Sequence, residues 1–423
     1  MKSVKGMRDL FPADTAVWSG VEEVAREVFG RYGYGEIRTP IVEDTDLFIR
    51  SVGASTDIVG KEMYTFADKK GRSLTLRPES TAAVARAVIQ HGLREEVLPL
   101  KLFYIGPHFR YERPQKGRYR QFFQIGAELI GDPGPYSDAE LLLMLVRFLQ
   151  ELGFSDLTVL LNTVGDEASR APFREALRSY LSGFEEKLGD ESKRRLETNP
   201  LRLLDTKVLA EIELLDQAPR LAEFLTADSR EHFKSVCSCL TAMKVPFQIE
   251  DRLVRGLDYY AGTVFEVVSA GLGAQDAIVG GGRYDGLLES LGGADLPAIG
   301  FAIGQDRLIE AMSDRVKKSM ASVPPLAVVA VGGVETLAIL EIAEELRGRG
   351  VDATAEFGSK PLKHTLKKAN RAGVRYVVLV GPDELAADQV TLKDLRTGEQ
   401  GQLHLSELPA RLAAAQRGNG VSR

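Results

Sequence analysis

Residues 109–128 read FRYERPQKGRYRQFFQIGAE and are the most informative stretch of the chain. Two apolar segments flank a basic loop, and side chains along a strand point alternately to its two faces. Arg110 and Glu112 share one parity before the loop. Gln124 and Glu128 share one parity after it, while the other parity is apolar and contains Phe123, Ile125, Ala127 and Leu129. The pattern predicts a hairpin with one polar face and one apolar face.

The polar face of this hairpin predicts a binding surface. Charged side chains are costly to bury unless they are paired or used, so a charged face on apolar strands suits a polar, charged ligand. The joining loop has four basic side chains and no acid after Glu112: Arg113, Lys116, Arg118 and Arg120. Such a loop suits phosphate, either of a nucleotide or of nucleic acid.

Length and charge limit what the chain can be. A chain of 423 residues is too long for one ordinary core, so we expect two or three domains. The composition is that of a soluble globular protein. The net charge of −6 excludes a general binder of polyanions, so any contact with nucleic acid must use local basic patches.

Cysteine and histidine usage argues against disulfides and against a metal held by the protein. Cys237 and Cys239 form a lone C-x-C, which is neither a zinc site nor a disulfide framework. The five histidines lack ligand spacing. The first residues lack the apolar segment of a signal peptide, and no apolar run approaches about 18 residues. We expect reduced thiols, a cytoplasmic location and no membrane contact.

The first part of the chain mixes helices with hairpins. Residues 17–29 predict an amphipathic helix, and residues 32–40 predict a turn and a strand. Residues 63–79 predict a hairpin that reverses at 68–71, and a helix follows over 81–90. Consecutive hairpins with little βαβ alternation favour an antiparallel sheet, so the predicted fold class is α+β.

The pattern changes twice further along the chain. Residues 166–244 are helical and charged, and strand character then returns, which predicts a helical insertion into the sheet domain. Beyond a linker at 322–325, apolar strand runs alternate with helical stretches, as in a small parallel α/β domain. The predicted divisions are 1–165 and 245–321 for the sheet domain, 166–244 for the insertion and 326–416 for the last domain.

Three arginines lie in apolar surroundings at strand ends or helix starts: Arg110, Arg255 and Arg307. One such arginine usually forms a structural salt bridge. Three together could neutralise a triphosphate and the charge that develops in phosphoryl or adenylyl transfer. Glu79 lies where a strand ends and a helix begins, so it either stabilises the helix N-terminus or binds an ammonium group.

Two further groups allow two interpretations each. Residues 280–282, all glycine, lie either in a tight passage between backbones or along a strand left bare for a flat ligand. They do not match the dinucleotide-binding fingerprint. Tyr259 and Tyr260 follow Arg255 and either pack in a core or line a site. Both can line one site only if the backbone bends there, because successive strand residues face opposite sides.

A basic segment without acids, SKPLKHTLKKANRAGVR, covers residues 359–375 in the last domain. Helical spacing gathers six of its side chains on one face: Lys360, Lys363, His364, Lys367, Lys368 and Arg371. A charge run is often only a solvated surface, but the acids of this domain lie outside the segment. A one-sided basic helix is the electrostatic footprint of a phosphate backbone. No aromatic residues interleave it, which favours backbone contact over base stacking.

Together these stretches closely resemble the histidyl-tRNA synthetase family, which belongs to the class II aminoacyl-tRNA synthetases. Three stretches are similar to class II motifs 1, 2 and 3: YGYGEIRTPIVE (32–43), the hairpin at 109–128 and AIGFAIGQDRL (298–308). Two more resemble segments typical of the histidine enzymes: LRPEST (76–81) and LVRGLDYY (253–260). The similarity extends from Lys5 to Gln400.

The resemblance implies both an architecture and a reaction. The expected fold is an antiparallel catalytic sheet flanked by helices, a helical insertion and a C-terminal α/β domain that binds the anticodon. Motif 1 implies a homodimer. In the expected reaction, histidine and ATP, with Mg²⁺, give histidyl-adenylate and pyrophosphate. The histidyl group then passes to the 3′ end of tRNA(His).

The resemblance also implies roles for individual residues. Arg110 and Arg255 would be catalytic, and Arg255 would take a role that other class II enzymes give to a metal. Histidine would be held by Glu79, Ser80, Thr81, Arg110, Gln124, Glu128, Arg255, Tyr259 and Tyr260. ATP would be held by Arg110, Glu112, Arg118, Phe122 and Arg307. The tRNA would be held by Arg113, Lys116, Arg120, Lys360, Lys363, Lys367, Lys368 and Arg371.

Other functions are weighed against this one. A paralogue of the family is the histidine-sensing regulatory subunit of ATP phosphoribosyltransferase, and such proteins tend to lose the last domain and parts of the motif 2 loop. This chain keeps both, together with Arg110, Arg118, Arg255 and Arg307. A class II synthetase for threonine, proline or glycine is opposed by RGLDYY together with Glu128. A generic RNA-binding protein without catalysis ranks last.

Overall fold

The computed structural model describes residues 1–53, 56–93, 98–115, 117–269, 277–320, 326–357 and 361–417. Clustering of contacts divides the chain into two compact units, Met1–Met320 and Ala321–Arg423. The linker predicted at 322–325 lies outside the described residues.

A large mixed sheet forms the centre of the first unit. The strands of this unit are β1 (Gly35–Glu36), β2 (Val42–Asp44), β3 (Tyr64–Ala67), β4 (Ser73–Leu76), β5 (Leu100–Phe109), β6 (Gln121–Ile130), β7 (Leu157–Thr163), β8 (Phe247–Ile249), β9 (Thr263–Ser269), β10 (Val279–Arg283) and β11 (Ala298–Gly304). The large sheet has the order β1-β5-β6-β11-β10-β9-β7-β8, and β2-β4-β3 form a small sheet. Every pairing from β5 to β7 is antiparallel, as predicted, and only β1 and β8 lie parallel to their neighbours.

Helices pack around this sheet. They are α1 (Pro12–Arg31), α2 (Thr45–Val52), α3 (Thr81–Gln90), α4 (Pro135–Glu151), α5 (Glu167–Ser182), α6 (Asp190–Thr198), α7 (Leu209–Leu215), α8 (Ala227–Ala242), α9 (Leu287–Ser290), α10 (Gln305–Ala311) and α11 (Asp314–Met320). The helices predicted at 17–29 and 81–90 are present. The first begins earlier, because Pro12 suits the first helical turn and the Asp14 carboxylate accepts from the Phe11 amide at 3.3 Å.

One face of the large sheet is covered by the main apolar core. Ile125, Ala127 and Leu129 of β6 are buried there with side chains of α1, α4 and α8. Phe29 of α1 packs with its ring centroid 5.5 Å from that of Phe103. The alternation in β6 therefore turns Gln124, Gly126 and Glu128 to the opposite face, as the sequence predicts.

The predicted insertion contains α5, α6, α7 and three short 3₁₀ turns, Glu185–Lys187, Pro200–Asp205 and Leu221–Glu223. Their apolar side chains form a second core that also includes Leu253 and, from β9, Val264. Helix α8 differs from the prediction, because Val236 and Leu240 are buried in the main core instead. His232 Nε2 of α8 lies 2.9 Å from Asp138 of α4, and Asp138 also pairs with Arg283 of β10. This helix is thus fixed to the layer that covers the sheet.

The second unit contains a five-stranded sheet. Its elements are β12 (Leu326–Ala330), α12 (Thr336–Gly348), β13 (Ala353–Glu356), α13 (Leu362–Arg371), β14 (Tyr376–Val380), α14 (Pro382–Ala386), β15 (Gln389–Asp394), β16 (Gln400–His404), a 3₁₀ turn (Leu405–Glu407) and α15 (Leu408–Arg417). Strands β13, β12 and β14 are parallel, as predicted. The sequence pattern did not indicate the other edge of this sheet, where β15 pairs antiparallel with β14 and with β16. Gly398, at φ +80°, allows the tight reversal between them.

Two expectations about the whole chain concern its thiols and the membrane. Cys237 and Cys239 of α8 are both free thiols. None of the helices in the described ranges has the length and apolar character needed to cross a bilayer.

Candidate active site

The polar face of the large sheet is lined by small residues where its central strands meet. The register places Gly126, Ala302 and Gly280 side by side across β6, β11 and β10. In the next row, Gly300 of β11 lies beside Gly282 of β10. These residues form a low floor against which larger groups can lie close to the backbone.

The three glycines in β10 allow close approach, as the first interpretation holds. A Cβ at Gly280 would collide with the Arg255 guanidinium, and one at Gly282 would lie 2.7 Å from the Thr263 carbonyl oxygen and 2.9 Å from the ring of Tyr260. Gly281 points to the other face, where a Cβ would collide with a carbonyl oxygen of β11. Gly280 and Gly282 thus leave room for side chains of the site, and a flat ligand against this strand stays a prediction.

Glu128 is buried at one end of the floor, above Gly300. The Thr81 hydroxyl donates to its Oε1 at 2.8 Å, and the Tyr284 hydroxyl donates to its Oε2 at 2.7 Å. Burial, together with the charge of Glu79, raises the pKa of Glu128 to about 8, in spite of these hydrogen bonds. Near pH 7 the carboxyl is therefore mostly protonated and can donate a hydrogen bond as well as accept one.

Glu79 is buried at the N-terminus of α3. Its carboxylate accepts from the amides of Thr81 at 2.7 Å and Ala82 at 3.0 Å, which is the helix-stabilising contact considered above. Burial raises its pKa, and the charge of Arg110 opposes that shift. The contact does not use every lone pair of the carboxylate, so the binding of an ammonium group stays a prediction.

Arg255 and the two tyrosines lie over β10, and the Tyr259 ring packs 5.7 Å from the ring of Tyr284, the partner of Glu128. Arg255 pairs with Glu266 of β9. The rings of Tyr259 and Tyr260 are 4.7 Å apart at 48°. Residues 250–262 belong to no strand or helix, so the backbone bends as it must for both tyrosines to face one site.

A group of side chains around Arg110 forms a second, basic end. Its Nε donates to the carbonyl of Pro78 at 2.9 Å, and its Cζ lies 5.4 Å from the centroid of the Phe122 ring. Glu112 lies 4.0 Å from a guanidinium nitrogen of Arg110 and 3.9 Å from one of Arg118. The acid thus holds two arginines beside an aromatic ring.

Arg307 adjoins this basic end from the first turn of α10. Its Nη1 donates to the Ala277 carbonyl at 3.4 Å. A Cβ at Gly117 of the loop would lie 3.3 Å from Arg307 Cγ, so the loop and the helix start are in contact distance. Asp306 fixes this junction, because it accepts from the Phe123 amide at 3.1 Å and from Arg8 at 2.7 Å.

Three buried polar atoms beside the floor lack hydrogen-bond partners among the described residues. They are Gln124 Oε1, Arg255 Nε and the hydroxyl of Tyr104, which lies over Gly126. Buried polar atoms are almost always paired, so orphaned ones point to a ligand that pairs with them. The amide oxygen is an acceptor, the guanidinium nitrogen is a donor and the hydroxyl can be either, which fits a ligand with both kinds of group.

Ser80 and His108 lie beside the basic end, where His108 of β5 is paired with Phe122 of β6 on the same face of the sheet. The Ser80 hydroxyl lies 2.7 Å from His108 Nε2, so it already has a hydrogen-bond partner. Burial, with the charges of Arg77 and Arg110, lowers the pKa of His108 well below its ordinary value and keeps the ring neutral. The His108 ring also packs 5.8 Å from that of Phe122.

The remaining basic residues of the loop differ in their surroundings. Arg120 stacks on Tyr111, with Cζ 3.6 Å from the ring centroid, and donates to the Glu112 carbonyl at 3.1 Å. These contacts order the loop. Arg113 is exposed, and Lys116 lies outside the described residues.

In the second unit, α13 has exposed basic side chains along one face: Lys363, His364, Lys367, Lys368 and Arg371. Lys368 is paired with Glu356 of β13 at 2.9 Å, so an acid does approach this surface from a neighbouring strand. The sequence could not indicate that contact. Lys360 lies outside the described residues.

Sequence reasoning missed three polar residues of the floor. Tyr104 of β5 is paired with Gly126 of β6 and covers it, a contact that no local pattern indicates. Tyr284 shares the parity of Gly280 and Gly282, so the alternation along β10 could have identified it. Glu266 becomes a partner of Arg255 only through the pairing of β9 with β10, where it lies opposite Gly280. No pattern in the sequence indicates that register.

The donor set gives no support for a metal held by the protein. Among the described residues, no three histidine, cysteine or carboxylate groups converge as metal ligands. The basic end is built mainly from arginines, which suit phosphate oxygens and repel cations.

Comparison with known proteins identifies the family. Residues 6–308 match the model of histidyl-tRNA synthetase, and residues 326–415 match the anticodon binding domain. A histidine–tRNA ligase of Nitratidesulfovibrio vulgaris is 47% identical over 97% of this chain and 98% of its own length. The chain belongs to the histidyl-tRNA synthetase family. A histidine–tRNA ligase from Solibacter usitatus is also 47% identical, over 98% of this chain and 99% of its own length.

Solved structures of histidyl-tRNA synthetases have the same fold. The apo enzyme of S. aureus superposes with a TM-score of 0.82 at 34% identity, covering 97% of this chain and 99% of its own. A Bacillus halodurans protein is described as an ATP phosphoribosyltransferase regulatory subunit/histidyl-tRNA synthetase. It superposes with a TM-score of 0.65 at 23% identity, covering 90% of this chain and 98% of its own. At that identity the likeness concerns the fold alone.

We predict opposite effects for two neighbouring glycines in this histidyl-tRNA synthetase family member. Gly281→Ala should lower the melting temperature, because its methyl group meets fixed backbone and overpacking costs about 1–3 kcal/mol. Gly280→Ala should nearly keep the melting temperature, because the mobile end of Arg255 can move aside. Differential scanning calorimetry of both variants tests this, and an equal loss for both would contradict it.

We predict that Glu128→Gln raises stability at alkaline pH. The raised folded-state pKa means that Glu128 favours folding below its ordinary pKa, and that this contribution is lost as the pH rises towards about 8. Gln cannot ionise, so the free energy of unfolding of the variant should exceed that of the parent by on the order of 5 kcal/mol at pH 8.5. The difference should be much smaller at pH 5. Melting temperatures at both pH values, with exposed Glu175→Gln as control, would show it; a gain independent of pH would contradict it.

Proposed function

We propose that this chain joins histidine to tRNA(His) in two steps, through histidyl-adenylate formed from histidine and ATP. The observation that carries the proposal is the pairing of two opposite ends on one glycine-lined floor. A buried acid cluster surrounds Glu128, and arginines gather around Arg110. An amino acid with an ammonium group and a nucleotide with phosphates match these two ends. Membership of the family supports histidine as the amino acid.

Histidine is held at the acidic end. Glu79 and Thr81 bind its ammonium group, and Glu128 binds the imidazole. A protonated Glu128 can donate to the free nitrogen of a neutral imidazole, and an ionised one can accept from its N–H. Tyr284 keeps the carboxyl in place through its 2.7 Å hydrogen bond. The rest of the pocket is formed by Gln124, Tyr259 and Tyr260.

ATP is held at the basic end. Phe122 stacks on the adenine, and Glu112 binds its edge. Arg118 and Arg307 hold the outer phosphates, because guanidinium groups bind phosphate oxygens in pairs.

The first step forms a mixed anhydride between the carboxylate of histidine and the α-phosphate. A carboxylate oxygen of histidine attacks the α-phosphorus, the bond to the bridging oxygen of the β-phosphate breaks, and pyrophosphate leaves with the electron pair. Arg110 and Arg255 stabilise the negative charge on the α-phosphate during attack. Because the guanidinium of Arg255 lies over Gly280, it reaches the reacting atoms without a side chain in between.

The second step transfers the histidyl group. A terminal hydroxyl of the tRNA attacks the acyl carbon, and AMP leaves as the bond to its phosphate oxygen breaks. Arg113, Lys116 and Arg120 face the acceptor end, with Arg120 acting through the order of the loop. Helix α13 contacts the tRNA backbone through Lys363, Lys367 and Arg371. Lys360, just before the helix, and Lys368, which is paired with Glu356, add positive charge to the same contact.

Mg²⁺ would enter with ATP. The basic end offers mainly arginines, which suit phosphate oxygens, and no three potential metal ligands converge among the described residues. When bound with ATP, the ion would supply positive charge that weakens the bond to the leaving pyrophosphate.

The assembly that fits this function is a homodimer joined through residues 32–43. Ile41 and Val42 in this segment are 42% and 38% exposed, and neighbouring exposed apolar side chains favour a protein contact. The cytoplasm is the location we propose, because free thiols such as Cys237 and Cys239 persist there.

The regulatory alternative finds no support in the relatives. The curated proteins at 46–47% identity are histidine–tRNA ligases over nearly their whole length. A histidine sensor also has no need of the arginines grouped around Phe122.

Histidine-dependent exchange of pyrophosphate into ATP tests the proposed activity. We expect exchange with histidine and a loss of at least about 10²-fold in Arg255→Ala, as for removal of a partner of transition-state charge. Gly280→Ala should show a similar loss while remaining folded, because its methyl group displaces the guanidinium. Arg194→Ala, an exposed arginine of α6, serves as control. Faster exchange with another amino acid would overturn the assignment of substrate.

Neutralising Lys363, Lys367 and Arg371 to Gln tests the role of α13. The variant should bind tRNA more weakly, and the salt dependence of binding should flatten by up to about 0.9 per lost phosphate contact. Pyrophosphate exchange should stay unchanged, since no tRNA takes part. Filter binding at several salt concentrations measures the first effect. A loss of exchange would show that the helix supports the catalytic fold instead.

A further inference from the structure

The segment from Glu250 to Gly262 presents Arg255, Tyr259 and Tyr260 to the floor, yet it forms no helix or strand. Irregular backbone has no hydrogen-bond ladder, so its polar groups must find partners on other elements. The position of Arg255 and of both tyrosines depends on those partners.

Several of those partners come from the helical insertion. Arg202 Nη2 donates to the Gly256 carbonyl at 2.9 Å. The Asp258 carboxylate accepts from Arg202 Nε at 3.1 Å and from Asn199 Nδ2 at 2.9 Å. Arg170 Nη1 of α5 donates to the Tyr260 carbonyl at 2.7 Å. The insertion thus holds the segment on both sides of Tyr259.

The body of the first unit holds the same segment from the other side. The Asp258 amide donates to the Val52 carbonyl at 3.3 Å, and the Ala261 amide donates to the Arg283 carbonyl at 2.8 Å. Gly53 adds a steric limit, because a Cβ there would collide with Asp258. The segment is therefore clamped between the insertion and the body.

Both arginines that hold the segment are largely buried along their side chains. Arg202 and Arg170 are only 15% and 17% exposed, although the hydrogen bonds to Gly256 and Asp258 lie at the protein surface. Arg202 makes charge-assisted hydrogen bonds to two points of the segment at once, which fixes direction as well as distance. The exposed Arg194–Glu191 pair of α6, by contrast, lies within one helix.

We infer that Arg170, Asn199 and Arg202 are positioning residues for adenylate formation. They touch neither the floor nor the residues assigned to ATP, and they act through the backbone and the carboxylate that set Arg255 and the tyrosine pair in place. This inference rests on the proposed function. It gives the insertion a role in the first step, before any tRNA binds.

Pyrophosphate exchange without tRNA tests the inference on the full chain. Arg202→Ala should lower kcat/KM for histidine by about 10- to 100-fold, the cost of a small misplacement of reacting groups. The KM for ATP should change little, because Phe122 and Arg118 lie elsewhere. Arg202→Lys, which keeps the charge and one donor, should recover part of the loss. The exposed Arg194→Ala is the matched control on the same insertion and should resemble the parent.

The possible outcomes separate the claims. Normal exchange in Arg202→Ala with impaired tRNA charging would overturn the inference, because the insertion would then serve tRNA alone. A parallel rise in the KM for ATP would overturn it as well. No exchange by the parent would refute the proposed function instead. If Arg202→Ala fails to fold, Asn199→Ala and Asp258→Asn replace it, singly and together. Losses in kcat/KM that simply multiply in the double variant would contradict a shared clamp.

Discussion

The site depends on one steric constraint: the polar face of the large sheet must stay low where β6, β11 and β10 meet. Glycine is a poor strand residue, because it has no side chain to pack and loses more backbone freedom on folding. Gly280, Gly282 and Gly300 are tolerated because the opposite face buries a continuous apolar core. One face of these strands thus stabilises the fold, and the other leaves room for the side chains and ligands of the site.

That space brings charges of opposite sign onto one surface. Glu79 and Glu128 are both buried, and burial raises the pKa of each. They face a ligand cation more readily than each other, since two ionised carboxylates in one site repel. The arginines are paired with other acids, Arg110 with Glu112 and Arg255 with Glu266, although Arg110 also lies near enough to Glu79 to oppose the rise of its pKa. A molecule with a cation at one end and phosphates at the other supplies an opposite charge to the acids and to the arginines.

The sequence carries much of this arrangement, but not all of it. Alternation in β6 predicted the two faces, because burial of one face fixes the register of a strand. It could not predict that Glu266 meets Arg255, since pairing between distant strands leaves no local pattern. Nor could it place α8, whose Val236 and Leu240 join the main core although the helix continues a charged segment. The edge hairpin of β15 and β16 was not predicted either, because the alternation of strands and helices before it favoured a parallel arrangement.

The pairing of β6 with β11 also matters for how the chain is made. Ala127 lies opposite Phe301, so the central pairing of the sheet joins strands with the whole insertion between them. During synthesis, the backbone edge of β6 that pairs with β11 has no partner until β11 leaves the ribosome. At roughly 5–20 residues per second, this interval lasts on the order of ten seconds or more. Over that time the nascent chain exposes an unpaired strand edge, and it is then that chaperones have most to protect.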